Sequence, residues 1–352
     1  MKIGLVRRGH SSTGGAEAYL IRLASALQSL GHSPVLVTSG EWPDSRWINP
    51  HIVRLQGSSP REFADAFSGT QTGCDIHLSL ERVPGCEVHR AGDGVHAAWL
   101  VRRNACEPFW RRFTRWANPK HAQLLALEKE VFDPAKTRAL IANSRLVRDE
   151  ILAHSPFPAE KVHVVYNGLS QPTQPADRAA SRARFGLGEK DFCVLFVGSG
   201  WERKGLRTAI RAVEKIRGAT LLVAGRGPAA AFRSSRATFV GATNDLASLF
   251  GAADLFVLPT YYDPFSNACL EALAAGLPVI TTPANGFSEI LEPGTHGAIV
   301  PEGDAPALAQ EIEKWRVPGV LDAVRPLCLA RAAEFSIERN ARETLRILES
   351  LV

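Results

Sequence analysis

Short hydrophobic runs alternate with helical patterns through the second half of the chain. From Asp191 onward, FCVLFVG precedes LRTAIRAVEKI, TLLVAG follows, and DLFVLPT precedes NACLEALAAG and LPVITT. Short apolar runs rich in β-branched and aromatic residues are typical of buried strands, and their alternation with amphipathic helices is typical of a parallel sheet. The pattern predicts a doubly wound α/β domain.

The first half opens in the same way. KIGLVRR predicts a strand, AEAYLIRLASALQSLG a helix that stops at Gly31, and SPVLVT the next strand. GLSQPTQPADRAASRA, with Pro172 and Pro175, interrupts the periodicity and is typical of a linker. We predict domains at residues 1–168 and 169–335 that face each other across a cleft. A C-terminal helix at about 336–352 is expected to pack back on the first domain.

Composition indicates an ordinary globular protein. The 352 residues are 45% hydrophobic and 22% charged, which excludes a disordered chain. No apolar run approaches the roughly 18 residues that span a bilayer, and the first residues lack the apolar core of a secretory signal. The six cysteines form no CxxC pair, which argues against a zinc knuckle. We expect a cytoplasmic protein.

The positive charge is unevenly distributed. Residues 1–168 contain 21 Lys and Arg against 16 Asp and Glu, whereas the remainder contains 20 of each, so the first half carries the whole excess of +5. Such an asymmetry favours an anionic partner for the first half: a membrane, a nucleic acid or a phosphorylated acceptor.

Ligands of open α/β sheets bind at the carboxyl ends of strands, where helix N-termini attract anions. RRGHSSTGGAE places Gly14 and Gly15 before a helix, which suits a phosphate or a plain tight turn. GSGWERKG places Arg203 and Lys204 after a strand, where two cations could neutralise a diphosphate. Neither a GxGxxG fingerprint nor a P-loop is present. Solvated surface is the alternative interpretation of the Arg-Lys pair.

TYYDPFSNACLEALAAGLPVITT is the most specific segment. Asp263 ends a strand, and Glu271 lies about two turns into the next helix. One carboxylate at the mouth and another on the helix offer acceptors for sugar hydroxyls. Backbone amides between them, at Phe265, Ser266 and Asn267, offer donors for phosphate.

GGAE, GSGWERKG, DPFSNACLEALAAGLPVITT and NGFSEIL, in this order and spacing, resemble the retaining transferases of glycosyltransferase family 4. The likeness is greatest to lipopolysaccharide core α-glucosyltransferases that use UDP-glucose. It covers nearly the whole chain, more weakly between Ser39 and Arg90. The resemblance implies the GT-B fold, an α/β architecture of two doubly wound Rossmann-like domains facing a cleft.

The resemblance also implies roles for single residues. Gly14, Gly15, Arg203 and Lys204 would hold the donor diphosphate. The family's ExxxxxxxE motif maps onto Asp263, facing the sugar, and Glu271, facing the ribose. Asp263 departs from the usual Glu, which leaves the sugar contact open. NGLS at residues 167–170 also departs from members that have an acidic residue after NG.

Two further loops acquire candidates from the resemblance. RAGDGVHAAWL carries Asp93 and His96 where the family has an acid or a histidine near the sugar and the acceptor hydroxyl, and such groups can polarise a hydroxyl or receive its proton. A helix cap by Asp93 is the alternative. Glu289 in NGFSEIL is assigned a donor-side role, with a capping carboxylate as the alternative.

Residues Trp99 to His121 interleave six Arg and Lys with five aromatic residues against the lone acid Glu107. Trp and Arg together favour a membrane–water interface with anionic headgroups. A basic helix packed on its own domain and facing solvent is the alternative.

These observations predict an enzyme that transfers a hexose from a nucleotide sugar, UDP-glucose, to a saccharide acceptor on a membrane lipid such as the lipopolysaccharide core. Retention of the anomeric configuration is implied by the resemblance. The sequence has no DxD-like acidic pair in a matching loop, so no metal and no cofactor are expected. The protein is expected at the inner face of the cytoplasmic membrane, without a nucleic-acid partner.

Two alternatives stay open. The donor could be GDP-mannose or UDP-N-acetylglucosamine, because base and sugar contacts lie in less diagnostic loops. The chain could instead be a binding or scaffold protein with a basic surface and a degenerate pocket. Intact Arg203, Lys204 and Glu271 argue against that second alternative.

Overall fold

The computed structural model describes residues 1–9, 15–40, 47, 51–105 and 118–352. These residues form two compact units. The first comprises Met1–Val101, Pro108–Ser170 and Phe335–Val352, and the second comprises Arg102–Glu107 and Gln171–Glu334, within the described ranges.

Strands and helices alternate along both units. In chain order they are β1 Lys2–Val6, α1 Gly15–Ser29, β2 Ser33–Thr38, β3 Ile52–Arg54, α2 Pro60–Ser68, β4 Ile76–Ser79, β5 Val88–Ala91, α3 His96–Arg102, α4 Pro119–Val131, β6 Ala139–Ala142, α5 Arg145–His154, β7 Val162–Val164, α6 Arg178–Arg184, β8 Phe192–Val197, α7 Leu206–Glu214, β9 Ala219–Ala224, β10 Ala237–Gly241, α8 Leu246–Ala252, β11 Leu255–Leu258, α9 Asn267–Ala274, β12 Val279–Thr281, β13 Gly297–Ile299, α10 Ala305–Lys314, α11 Val320–Ala333 and α12 Ile337–Glu349.

The first unit is built on a parallel sheet in the order β3-β2-β1-β4-β5-β6-β7. The order reverses between β1 and β4, which places a topological switch point there. Helix α12 returns to this unit and packs on α1, where the buried Tyr19 hydroxyl donates to Asn340 Oδ1 at 2.9 Å. Leu23 of α1 and Leu348 of α12 are fully buried in one core.

The second unit has a parallel sheet in the order β10-β9-β8-β11-β12-β13. Its switch point lies between β8 and β11, because successive strands run one way from β8 to β10 and the other way from β11 to β13. Strands β8, β9 and β11 are almost wholly buried, as expected for a sheet covered on both faces. The predicted α/β fold class, with two doubly wound parallel sheets, is confirmed.

The predicted linker is partly wrong, because its second half is helix α6. Asp177 caps this helix by accepting from the Ala180 amide at 2.8 Å. Arg178 Nη2 and Arg182 Nη1 lie 2.6 and 3.4 Å from the carboxylate of the buried Asp254, which precedes β11. Part of the polar composition that suggested a linker therefore belongs to a helix whose arginines pair with Asp254.

Among the described residues, no helix is both long enough and apolar enough to span a membrane.

Candidate active site

The two loops that follow β8 and β11 are tied together at the switch point of the second unit. The Arg203 carbonyl accepts from the Tyr261 amide at 2.8 Å and from the Thr260 hydroxyl at 2.9 Å. In return, Arg203 Nη1 donates to the Tyr262 carbonyl at 2.6 Å. Backbone and side chain of Arg203 thus hold one loop against the other at the carboxyl edge of the sheet.

Lys204 and Asp263 form an ion pair across the same switch point. The Lys204 ammonium donates to Asp263 Oδ2, and the side chains are 12% and 8% exposed. The structure therefore brings together two residues that lie on separate loops of the sequence. A charge pair so little exposed interacts more strongly than one in water, because the surrounding dielectric constant is lower.

Glycine is required where these loops pass close to other backbone. Gly205 precedes α7 with φ +76°, and a Cβ there would lie 1.9 Å from the Pro259 carbonyl oxygen. A Cβ on Gly225, after β9, would lie 2.0 Å from the Gly198 carbonyl oxygen. The loops after three adjacent strands are therefore packed backbone to backbone at the switch point.

Asn285 organises the turn that contains Asp263. Its side chain is fully buried, and its Oδ1 accepts from the amides of Ser266 at 3.2 Å and Phe287 at 3.1 Å. Its Nδ2 donates to Thr281 Oγ1 at 2.9 Å. Backbone bonds from Asp263 to Ala284 and from Gly286 to Asp263 extend the same link. Sequence reasoning singled out Glu289 in NGFSEIL and missed Asn285, the first residue of the same segment, although an Asn directly before a turn was the available signal.

The residues between the two carboxylates make packing and capping contacts, and their predicted contact with the donor stays a prediction. The Phe265 ring is 4% exposed and packs edge-on against Phe287, with 5.8 Å between centroids. Ser266 caps α9 by accepting from the Cys269 amide, and its own amide is engaged by Asn285. Asn267 is the first residue of α9 and is half-buried.

Glu271 and Glu289 lie on the elements that follow. Glu271 is half-buried in α9, and Glu289 is half-buried in the 3₁₀ turn Gly286–Ile290. The second residue of this turn is Phe287, and its amide donates to Asn285 Oδ1 rather than to Glu289. Both carboxylates belong to the same unit as the Lys204–Asp263 pair.

The switch point of the first unit is also charged. Arg7 Nη2 pairs with Glu17 Oε1 at 2.9 Å, and the nearby carboxylates raise the pKa of Arg7 although burial opposes this. The Arg8 amide donates to Glu81 Oε1 at 2.5 Å, and burial raises the pKa of Glu81. Gly15 is the first residue of α1, whereas Gly14 lies outside the described residues.

Asp93 and His96 bracket the start of α3. Asp93 is exposed in the turn before the helix, and His96 is its first residue and half-buried. The helix start is held by Glu128 of α4, whose carboxylate accepts from the His96 amide at 2.6 Å and the Ala97 amide at 3.0 Å. Glu128 therefore supplies the acceptor that the alternative interpretation assigned to Asp93.

Most of the segment from Trp99 to His121 lies outside the described residues, which omit residues 106–117. The described flanks are the end of α3, the turn Arg103–Ala105 and the start of α4. In the part of the chain that the structure describes, no three His, Cys, Asp or Glu side chains are grouped so as to hold a metal ion.

Residues 191–315 match the family model described as glycosyl transferases group 1. This range contains Arg203, Lys204, Asp263, Glu271 and the rest of the second-unit site. Among curated proteins, the chain is 26% identical over 373 residues to the D-inositol 3-phosphate glycosyltransferase of Mycobacterium sp. (strain KMS), covering 94% of this chain and 84% of that one. The corresponding protein of Mycobacterium tuberculosis (strain F11) is 28% identical over 339 residues, with 84% and 70% covered.

Solved structures share the fold. WaaG, a glycosyltransferase involved in lipopolysaccharide biosynthesis, aligns with a TM-score of 0.81 at 20% identity, covering 98% of this chain and 99% of that one. Anabaena Alr3699/HepE in complex with UDP-glucose aligns with a TM-score of 0.78 at 19% identity, covering 99% and 100%. The matches confirm the resemblance to GT-B glycosyltransferases, and the class of activity that they support is glycosyl transfer.

Proposed function

We propose that the protein is a retaining, metal-independent hexosyltransferase that uses UDP-glucose and glycosylates a saccharide acceptor on a membrane lipid such as the lipopolysaccharide core. The observation that carries the proposal is the Lys204–Asp263 pair at the switch point of the second unit, beside Arg203. This edge of a doubly wound sheet is where such folds bind nucleotides.

The donor diphosphate would bind at Lys204 and Arg203, which lie just before the N-terminus of α7. Two cations and a helix N-terminus can neutralise a diphosphate without a metal ion. Asp263 would accept a hydrogen bond from a sugar hydroxyl, and Glu271 would accept from the ribose hydroxyls. In the proposed complex Lys204 turns from Asp263 toward the phosphate, which leaves the Asp263 carboxylate for the sugar.

Charge development explains why these residues would accelerate transfer. When the bond between the anomeric carbon and the phosphate oxygen breaks, its electron pair stays on the leaving diphosphate. Arg203 is already held by the Tyr262 carbonyl, and Lys204, once it has turned from Asp263, would add a second cation beside the leaving group, so both would stabilise the new charge as it develops. For the configuration to be retained, the acceptor hydroxyl would attack the anomeric carbon on the face that the diphosphate leaves; His96 would polarise this hydroxyl and Asp93 would receive its proton.

Two observations bear on donor and acceptor. Anabaena Alr3699/HepE, which shares the fold, binds UDP-glucose, and this supports the same donor here. GDP-mannose and UDP-N-acetylglucosamine are the competing donors. The Mycobacterium relatives are named for D-inositol 3-phosphate, which favours a phosphorylated polyol as the second candidate acceptor. The positive excess of the first half suits either acceptor class.

The test is transfer across a panel of nucleotide sugars with two acceptors, a lipid-core oligosaccharide and an inositol phosphate. We expect turnover with UDP-glucose and the oligosaccharide, and an α-linked product by NMR. Full activity in EDTA is expected, because the cations replace a metal. Activity that is lost in EDTA and restored by Mg²⁺ or Mn²⁺ would contradict metal independence. Transfer only to inositol phosphate would replace the proposed acceptor by the second candidate.

A peripheral position on the inner face of the cytoplasmic membrane is part of the proposal. It rests on the interleaved Arg and Trp of residues 99–121. Each cation near an anionic surface contributes about 1 kcal/mol, so several give salt-sensitive binding. We expect co-sedimentation with anionic but not neutral vesicles, and its loss when Arg111, Arg112 and Arg115 are changed to Glu. Transfer to a soluble acceptor should survive. Vesicle binding that is unchanged in the triple variant would remove the membrane proposal.

A further inference from the structure

Helix α4 carries two side chains that reach the start of α3, where His96 lies. The carboxylate of Glu128 accepts hydrogen bonds from the backbone amides of His96 and Ala97 at 2.6 and 3.0 Å. His121 Nδ1 lies 3.1 Å from His96 Nε2, with 5.2 Å between the ring centroids. His121 and Glu128 are two helical turns apart, which places both on one face of α4. One face of one helix therefore contacts both the backbone and the ring of His96.

Glu128 is buried and is itself held by the half-buried Arg82. It is 4% exposed, and Arg82 Nε donates to its Oε2 at 3.0 Å, while Arg82 Nη2 lies 2.9 Å from the same oxygen. Arg82 Nη2 also donates to the Gly94 carbonyl at 2.9 Å. The same ion pair therefore holds the turn before α3 and the first amides of α3. The first amides of α3, as of any helix, have no acceptor within the helix, and Glu128 supplies one from outside.

The contact between the two rings couples their proton positions. A neutral imidazole has one nitrogen that donates and one that accepts. Since His121 Nδ1 and His96 Nε2 face each other, one of them carries the proton and the other accepts it. The tautomer of His96 then depends on His121, as the tautomer of a catalytic histidine generally depends on the partner of its other nitrogen.

We propose that Glu128 and His121 are positioning residues for His96: Glu128 holds the backbone at His96, and His121 sets the orientation and tautomer of its ring. This inference rests on the proposed function, in which His96 acts on the acceptor hydroxyl. Neither residue touches substrate in this scheme. Their effect on transfer passes through His96 alone.

The first measurement needs no substrate. Ring ¹⁵N spectra of the full-length protein report the tautomer of each histidine. We expect His96 to occupy one tautomer in the wild type and a mixture in His121→Phe, which keeps a ring but removes the facing nitrogen. The matched control is His154→Phe on the exposed end of α5. An unchanged His96 tautomer in His121→Phe would overturn the positioning role of His121.

The second measurement is a double-mutant cycle on transfer activity. His121→Phe should lower kcat about tenfold with the donor KM unchanged, because one orienting hydrogen bond is lost. His121→Asn, whose side-chain amide places a polar atom where Nδ1 lies, should restore part of the rate. In a His96→Ala background, His121→Phe should have no further effect. Additive losses would show that His121 acts independently of His96.

Glu128→Gln is expected to lower kcat by a similar factor, because the neutral amide accepts more weakly from the two amides and from Arg82. Glu130→Gln is its control on the same helix, where the carboxylate pairs with Arg61 and Lys136. Equal kinetics of both variants would refute the role of Glu128. If His96→Ala retains full activity, the proposed function of His96 fails, and the ¹⁵N measurement still decides whether His121 positions the ring.

Discussion

The two sheets share a plan but differ in where they hold polar groups. Strands β8 to β13 contain no charged residue and no histidine, and the charged side chains of the second unit's site follow the strands. Strands β4 and β5 of the first sheet instead contain His77, His89 and Arg90, the last two buried. In the second sheet the strands are apolar, and the candidate catalytic side chains lie at its carboxyl edge. In the first sheet, polar side chains also lie on the strands themselves.

The difference predicts which substitutions change activity and which change stability. Residues at the edge of the second sheet lie on loops that the fold tolerates in many forms, and such loops carry function. Polar groups inside the first sheet have specific partners: His89 Nδ1 lies 2.8 Å from Ser79 Oγ, and Arg90 donates to Asn167 Oδ1. Changes there should act mainly on folding.

The largest effect is expected at Lys204. Lys204→Ala should lower kcat by about 10² to 10³, the range for the loss of one preorganised charge-stabilising donor, with the fold intact. Arg203→Ala is expected in the same range. The measurement is turnover at saturating donor, with circular dichroism to check the fold. Lys215→Ala, at an exposed position after α7, is the control. Near-wild-type turnover by both variants would end the diphosphate assignment.

Asp263 and Glu271 should separate turnover from affinity. Asp263→Asn is expected to lower kcat by about 10², because its carboxylate faces the sugar whose charge changes during transfer. Glu271→Gln should weaken UDP binding about tenfold, since a charged acceptor for ribose is lost. Calorimetry with UDP and initial rates distinguish the two. Equal UDP affinities of wild type and Glu271→Gln would leave the ribose role without support.

Asn285 lies at the edge of the second sheet, but we expect its substitution to reduce stability, as for the polar groups inside the first sheet. Asn285→Ala leaves the amides of Ser266 and Phe287 without their acceptor in a fully buried position. We expect a loss of about 2 kcal/mol in the free energy of unfolding and weaker donor binding. Urea unfolding and UDP calorimetry measure the two. Thr238→Ala, at an exposed position of β10, is a control in the same unit. An unchanged UDP affinity would show that the hydrogen bonds of Asn285 do not influence donor binding.

The smallest effects concern the histidines of the first sheet, whose pKa values move in opposite directions. Burial lowers the pKa of His89 to about 3. Burial also acts to lower the pKa of His77, but its hydrogen bonds with Cys74 and Glu87 raise it to about 9. Only groups of this kind, ionised differently in the folded and unfolded states, make stability depend on pH.

The signs follow from linkage. His89 stays neutral when folded, so its contribution is complete above the unfolded pKa of about 6.5 and decreases as the pH falls from there toward 3. His77 is charged when folded, so its contribution is complete below about 6.5 and is lost as the pH rises through 9. Urea unfolding at several pH values should show a flatter acid side in His89→Gln and a flatter alkaline side in His77→Gln. Parallel profiles of variant and wild type would contradict the shift concerned.

Periodicity determined the architecture of this protein, because a parallel α/β sheet requires apolar strands alternating with amphipathic helices. The pair Arg203-Lys204 and the segment from Asp263 to Glu271 could likewise be singled out from the order of residues alone, since residues after strands collect at one edge. The predicted linker failed at α6 because its stabilising partner, Asp254, lies far along the chain. Composition alone does not report such a partner.

Tertiary structure decided which of these residues meet. The contacts of the site join residues from separate elements. Lys204 pairs with Asp263, and Asn285 links two turns. Glu128 and His121 both contact His96. A hydrophobic pattern records which face of each element is buried, and so it specifies the order of elements well. It does not record which buried polar atom will find which partner, because that depends on strand order and helix packing, where one donor and one acceptor must come within about 3 Å.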